Sequence, residues 1–359
     1  MPERSAHSRR ESAERRTSLR SNLAVSFVSL LVVLASLEIW LRLHPVADVQ
    51  TNNEYYYRTR SGGGRRFGVP FNTWTERIDP AVDVRGYYAK TDYIVTYHFD
   101  QHGARWLESA MREPHGRVVV VLGDSFTYGS GLHYEDAWVR QLERRLDAGG
   151  DPTSLYDFAE SGADSRRCLA IYQALDASLP HDEVLYALNL NDVVSFGTSE
   201  VIRNPMLGTP LDRYSSLVKF VLDRLNASIG RRLKLAYLTS PAVFERGHFR
   251  RNFPAIGELA RAAADRGARF RIVLLPVLID LEAEAFRPVY DELSRRLTAE
   301  GIPVLDITDS VRGRRDSDLW ILPVDQHPNE VASALLAERA YALWGHERGI
   351  ADAAGGSAR

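Results

Sequence analysis

Hydrophobic positions along the chain fall into three regimes. From Leu23 to Leu37 no residue is charged. Extended over residues 22–43, NLAVSFVSLLVVLASLEIWLRL, this stretch makes a helix of about 32 Å, enough to cross a bilayer. Between 92 and 100, DYIVTYHFD alternates, with Tyr93, Val95, Tyr97 and Phe99 on one face, the pattern of a half-buried strand. From 117 onward the apolar runs lose their alternation. RVVVVLG, SLYDFAE (154–160), DEVLYALNLN (ending at Asn191), RFRIVLLPVL (269–278) and IPVLDIT (302–308) predict five strands covered on both faces. Helical spacing fills the gaps at 137–147, up to about 175, at 253–266, at 281–300 and at 329–346. Alternating strands and helices predict a parallel, doubly wound sheet. Residues 193–250 interrupt the alternation with an amphipathic stretch that reads as a lid or as added core.

The strand ends matter because ligands of an open parallel sheet sit beyond its carboxyl edge. There the chain places Gly123-Asp124-Ser125, then Gly162 in AESGADS, then Asn189-Leu190-Asn191-Asp192. Near the C-terminus VDQHPNE places Asp325 two residues before His327. Taken alone, Asp124 and Ser125 read equally well as a helix cap. Four such residues in this order make a more specific signal than any one of them.

Composition narrows the setting. The 359 residues are 45% hydrophobic and 26% charged with net charge −2, which makes no electrostatic case for nucleic acid. The single cysteine, Cys168, excludes an intrachain disulfide framework and reads as packing within a helix. No histidine spacing argues for a metal site. Residues 1–21 carry Arg9, Arg10, Arg15, Arg16 and Arg20 and read as a cytoplasmic tail. That arginine excess predicts an uncleaved single-pass anchor with its N-terminus inside and the remainder of the chain outside the cytoplasm. A cleaved signal is the rival, but no A-x-A site follows the apolar run. Residues 45–115 are rich in aromatics and predict a small accessory β region. Residues 116–348 form the main domain, and 349–359 read as a disordered tail.

The four blocks resemble those of the SGNH (GDSL-type) hydrolases, over roughly residues 117–346. GDSFTYG is similar to the first block, Gly162 to the second, NLND to the third and DQHPN to the last. The arginine-rich leader, anchor and aromatic region resemble bacterial membrane-anchored members. The resemblance implies a flavodoxin-like three-layer α/β/α fold with a five-stranded parallel sheet and no cofactor. It implies a Ser125 nucleophile, a His327 base and an Asp325 acid. The oxyanion donors would be the Ser125 and Gly162 N–H groups and the Asn191 amide, with Gly123, Asp124 and Asp192 in support. Two positions depart from the pattern: Asn189 stands where the third block opens with glycine, and Asp325 precedes the histidine by two residues rather than three. A Ser-His dyad therefore stays open beside the triad. The implied reaction is hydrolysis of O-acyl esters, short-chain and acetyl-type, on envelope saccharides. Transfer of the acyl group to a glycan, a lipid substrate, or an inactive glycan-binding scaffold are the alternatives.

Overall fold

A computed structural model describes residues 3–43, 56–66, 69–78, 94–107, 112–175, 179–194, 214–322 and 325–347. The tail at 349–359 and residues 195–213 of the 193–250 insertion lie outside these residues, as do the side chains of Tyr55, Tyr56, Tyr57, Phe67, Phe71, Trp74, Tyr87, Tyr88 and Tyr93. The chain divides into two compact units, residues 1–49 with 202–231, and residues 50–201 with 232–359.

The second unit holds the sheet. Its parallel core comprises β5 (Arg117–Gly123), β6 (Thr153–Asp157), β7 (Glu183–Leu188), β8 (Arg269–Leu274) and β9 (Val304–Asp306) in the order β6-β5-β7-β8-β9. These are the five strands the apolar runs predict; β5 matches its run in full, and the other four end earlier at their carboxyl ends. The unbroken valines are used on both faces. Val118, Val120 and Leu122 face one hydrophobic layer with α4 (Ser165–Ala174), α7 (Gly247–Asp265) and α8 (Arg287–Ala299). Val119 and Val121 face the other, with α3 (Trp138–Ala148) and α9 (Glu330–Glu347). Two helical layers around a parallel sheet are what bury a strand without alternation.

The aromatic region does not form a layer of its own. β1 (Tyr56–Arg66), β2 (Val69–Ile78), β3 (Ile94–Phe99) and β4 (Arg105–Trp106) extend the same sheet as an antiparallel wing, joined where Arg105 pairs with Asp157 on β6. Arg105 also ties this wing to the loop after β5. Its fully buried guanidinium donates to the carbonyls of Tyr128, Gly129 and Leu132, and lies 4.6 Å from the Tyr97 ring centroid and 5.1 Å from that of Tyr128. The Tyr97 hydroxyl accepts the Gly131 N–H at 2.7 Å. Arg105→Leu should cost about 3 kcal/mol of stability in chemical denaturation, because three buried carbonyls lose their donor.

The first unit contains α1 (Glu3–Leu43) and most of α6 (Ser216–Leu238). Helix α1 runs through the arginine-rich segment as well as the apolar one, in keeping with its content of Arg, Glu and Ala, all good helix formers. Its Ser21–Leu43 portion has mean hydropathy 2.2, is exposed apart from Glu38 and Leu41, and is long and apolar enough to cross a membrane.

Candidate active site

The site is built at the end of β5. Gly123 is required by crowding: a Cβ there would lie 2.5 Å from the Thr127 hydroxyl and 3.0 Å from the Ala187 carbonyl. Asp124 then takes an extended conformation, and its carboxylate accepts the Phe126 N–H at 2.9 Å, capping the short helix α2 (Ser125–Tyr128). Capping thus falls to Asp124, and the Ser125 hydroxyl is left for another partner. That partner is His327, whose Nε2 lies 2.7 Å from Ser125 Oγ across 202 positions of sequence.

His327 is held by a separate device. It sits on β11 (Asp325–Pro328), which pairs with β10 (Trp320–Leu322) in an antiparallel hairpin. The Trp320 indole N–H donates to the Leu278 carbonyl at 2.6 Å. Asn329 donates to the carbonyls of Asp318 and Trp320, and accepts the Ala332 N–H at the start of α9. The Phe126 ring packs against the imidazole at 5.7 Å between centroids. The sequence assigned Trp320 no role and marked Asn329 only as the start of the last helix and the end of the DQHPN block; its bonds to Asp318 and Trp320 were not legible. The Asp325 backbone belongs to the same strand, while its side chain lies outside the described residues.

The third block differs from its sequence reading in one respect. The strand ends at Leu188, not Asn191, because Asn189 caps a short helix, α5 (Leu190–Val193), in a capping box with Asp192. Asn189 therefore serves as a helix start where glycine is usual. The Asn191 amide donates to Asp124 at 2.8 Å, which fixes its orientation and leaves its second N–H to point elsewhere. Gly162 adopts φ +82° in the turn after β6, and the Glu160 N–H donates to the Gly123 carbonyl, so this turn begins against the Ser125 turn.

Beneath the rim two buried carboxyls are pushed up. Burial raises Asp124, opposed by the bonds from Asn191 and Phe126 and by the nearby His327. Asp192 is raised further, first by burial and then by the Asp124 charge; the Tyr186 hydroxyl and the Asn189 N–H donate to it at 2.9 and 3.2 Å. A carboxyl raised in the folded state stabilises the fold at low pH, and that contribution is lost as pH climbs through its folded value. Asp192→Asn should therefore flatten the decline in melting temperature above about pH 4, since the native protein holds the proton that the unfolded chain releases near pH 4. Burial also raises the Cys168 thiol well above its usual range, which suits packing rather than reactivity.

The sequence model of the GDSL-like lipase/acylhydrolase family matches residues 121–335, more than half of the chain. No curated protein sequence matches. Among solved structures, TesA is 20% identical with a TM-score of 0.39, covering 65% of this chain and 99% of its own. The psychrotrophic esterase EstA from Pseudoalteromonas sp. is 16% identical with a TM-score of 0.39, over 65% and 99% of the two chains. The acetyl xylan esterase AlAXEase is 12% identical with a TM-score of 0.39, over 63% and 98%.

Proposed function

The chain belongs to the GDSL-like lipase/acylhydrolase family and is an ester-hydrolysing enzyme, and from that premise we propose that Ser125 is its nucleophile and His327 its general base. The observation that carries this reading is the 2.7 Å contact between Ser125 Oγ and His327 Nε2. With the ring proton on Nδ1, the serine hydroxyl donates to Nε2. Attack on the ester carbonyl then passes that proton to the imidazole and forms a tetrahedral oxyanion. The Ser125 and Gly162 N–H groups and the second amide N–H of Asn191 receive the oxyanion. His327 returns the proton to the leaving alcohol, and water repeats the cycle on the acyl-enzyme. Asp325 holds the imidazole tautomer in the triad form of this scheme. Asp124 acts through Asn191, as a positioning residue.

The proposed substrate is a short-chain, acetyl-type O-acyl ester on an envelope saccharide, met outside the cytoplasm by a domain anchored through residues 22–43. The domain boundaries follow the same reading: 1–21 inside, 45–115 as the accessory wing, 116–348 as the catalytic domain with 193–250 inserted, and 349–359 as a tail. The turn after β5 passes directly into α2 and builds little wall for a long acyl chain. A cleft of about 300 Å³ is lined by His98, Trp106, Leu107, His133, Tyr134 and Glu135. Aromatic rings interspersed with polar groups are the lining a sugar ring requires. A chain-length series of aryl esters tests the acyl preference, and acetyl and propionyl esters should give the highest kcat/KM. Trp106→Ala should raise KM for an acetylated oligosaccharide and leave aryl acetate unchanged. A steady rise of kcat/KM toward dodecanoyl esters would overturn the saccharide reading in favour of a lipid. Acyl transfer to added oligosaccharide faster than hydrolysis would replace the esterase by a transferase.

A further inference from the structure

The end of the apolar span does something its composition does not require. Glu38, one turn before Leu43, turns its carboxylate onto the start of helix α6. It accepts the backbone N–H of Ser216 at 3.0 Å and of Leu217 at 2.8 Å, and the Ser215 hydroxyl at 2.8 Å. Arg42 completes the clamp, donating to Glu38 and to the Tyr214 carbonyl. A helix N-terminus carries unpaired N–H groups and positive potential, so a carboxylate from another helix satisfies both. The first turn of α6 is thereby fixed at the end of Ser21–Leu43. Trp40 and Tyr214 stand exposed beside this clamp, the residue types that collect at a membrane–water boundary.

From that start α6 presents a distinctive face. Val218, Val221, Leu222, Leu225 and Ile229 recur at helical spacing, and Val221 and Leu225 are 44% and 45% exposed. The same helix carries five basic residues, Lys219, Arg224, Arg231, Arg232 and Lys234, against one acidic residue, Asp223. An apolar stripe with two exposed members, Val221 and Leu225, and three half-buried ones, Val218, Leu222 and Ile229, on a cationic helix is the composition of a segment lying in a bilayer interface, where basic residues meet anionic headgroups. We propose that the Val218–Val221–Leu222–Leu225–Ile229 face of α6 rests on the surface of an anionic phospholipid bilayer, continuing the membrane contact of the span to which Glu38 clamps it. The proposal rests on the reading of residues 22–43 as a membrane anchor.

The test uses the full-length chain in liposomes of phosphatidylcholine with phosphatidylglycerol, bearing one environment-sensitive fluorophore on a single introduced cysteine. Cys168 is fully buried and stays unlabelled in the folded protein. Labels are placed by Val221→Cys and Leu225→Cys on the apolar face, by Lys219→Cys about 100° away around the helix, and by Val33→Cys in the span. Spin-labelled lipid should quench the labels at 221, 225 and 33 and spare the label at 219. Replacing phosphatidylglycerol with phosphatidylcholine, or adding salt, should reduce quenching at 221 and 225 and leave 33 unchanged. Glu38→Ala should lower quenching at 221 and 225 relative to 33. If 33 is quenched while 221 and 225 match 219, the proposal is overturned and the anchor stands. If 33 is not quenched, the anchor reading fails and the proposal with it. Self-quenching at 221 that grows with the protein-to-lipid ratio would show a second copy on this face and overturn the lipid assignment.

Discussion

Ser125→Ala should lower kcat by about 10⁶-fold, and His327→Ala by nearly as much, because the two act as one unit. The double variant should be no worse than either single one, and this non-additivity is the diagnostic. Independent contributions would multiply. With the hydroxyl gone, the imidazole has no proton to accept; with the imidazole gone, the hydroxyl stays protonated and inert. Folding should survive both changes. Asp124, not Ser125, caps α2, and His327 is held by the hairpin backbone and by its neighbours Trp320 and Asn329. Melting temperatures measured beside the rates would separate loss of chemistry from loss of structure. Asp325→Asn distinguishes the triad from the dyad: a fall approaching that of His327→Ala assigns it the tautomer-holding role, and a small fall leaves Ser125 and His327 as the unit.

Asn191→Ala carries the second largest expected effect, a loss of about 10²–10³ in kcat with little change in KM. An oxyanion donor is used as negative charge develops on the carbonyl oxygen, so its removal raises the barrier and barely touches the ground state. Asp124→Asn should reproduce a smaller share of that loss. It weakens the acceptor that orients the Asn191 amide, and an amide at that position could present its own N–H to Asn191 instead of its oxygen. If Asn191→Ala instead raised KM at constant kcat, the residue would be a substrate-binding group, and the oxyanion would have to be stabilised by backbone N–H groups alone.

The parallel core was legible because burial on both faces leaves a plain mark. Val118 to Leu122 show no alternation, and the structure covers both sides of them. The candidate rim was legible because Ser125, Gly162 and Asn191 follow three predicted strand ends in order, with His327 after them. Strand limits were harder to read. Leu190 prolongs the apolar pattern past Leu188, and only the reciprocal Asn189–Asp192 bonds show that a helix has begun. The place of the aromatic wing was not legible either. Its link to the sheet runs through Arg105, and an arginine in a two-residue strand gives no sequence sign that its charge is buried against three carbonyls. The Glu38 clamp escaped for a related reason. The i, i+4 spacing of Glu38 and Arg42 carries only the mark of a local ion pair, and the partner that gives the pair its purpose lies more than 170 residues away.

The central claim is that His327 activates Ser125 for attack on an acyl ester. It is tested most directly by reacting the folded full-length protein with a fluorophosphonate and locating the adduct by peptide mass spectrometry. The account predicts a single adduct on Ser125, abolished in Ser125→Ala and nearly abolished in His327→Ala although the serine is still present. An unmodified Ser125 in active protein, or labelling that persists at full rate without His327, would contradict it.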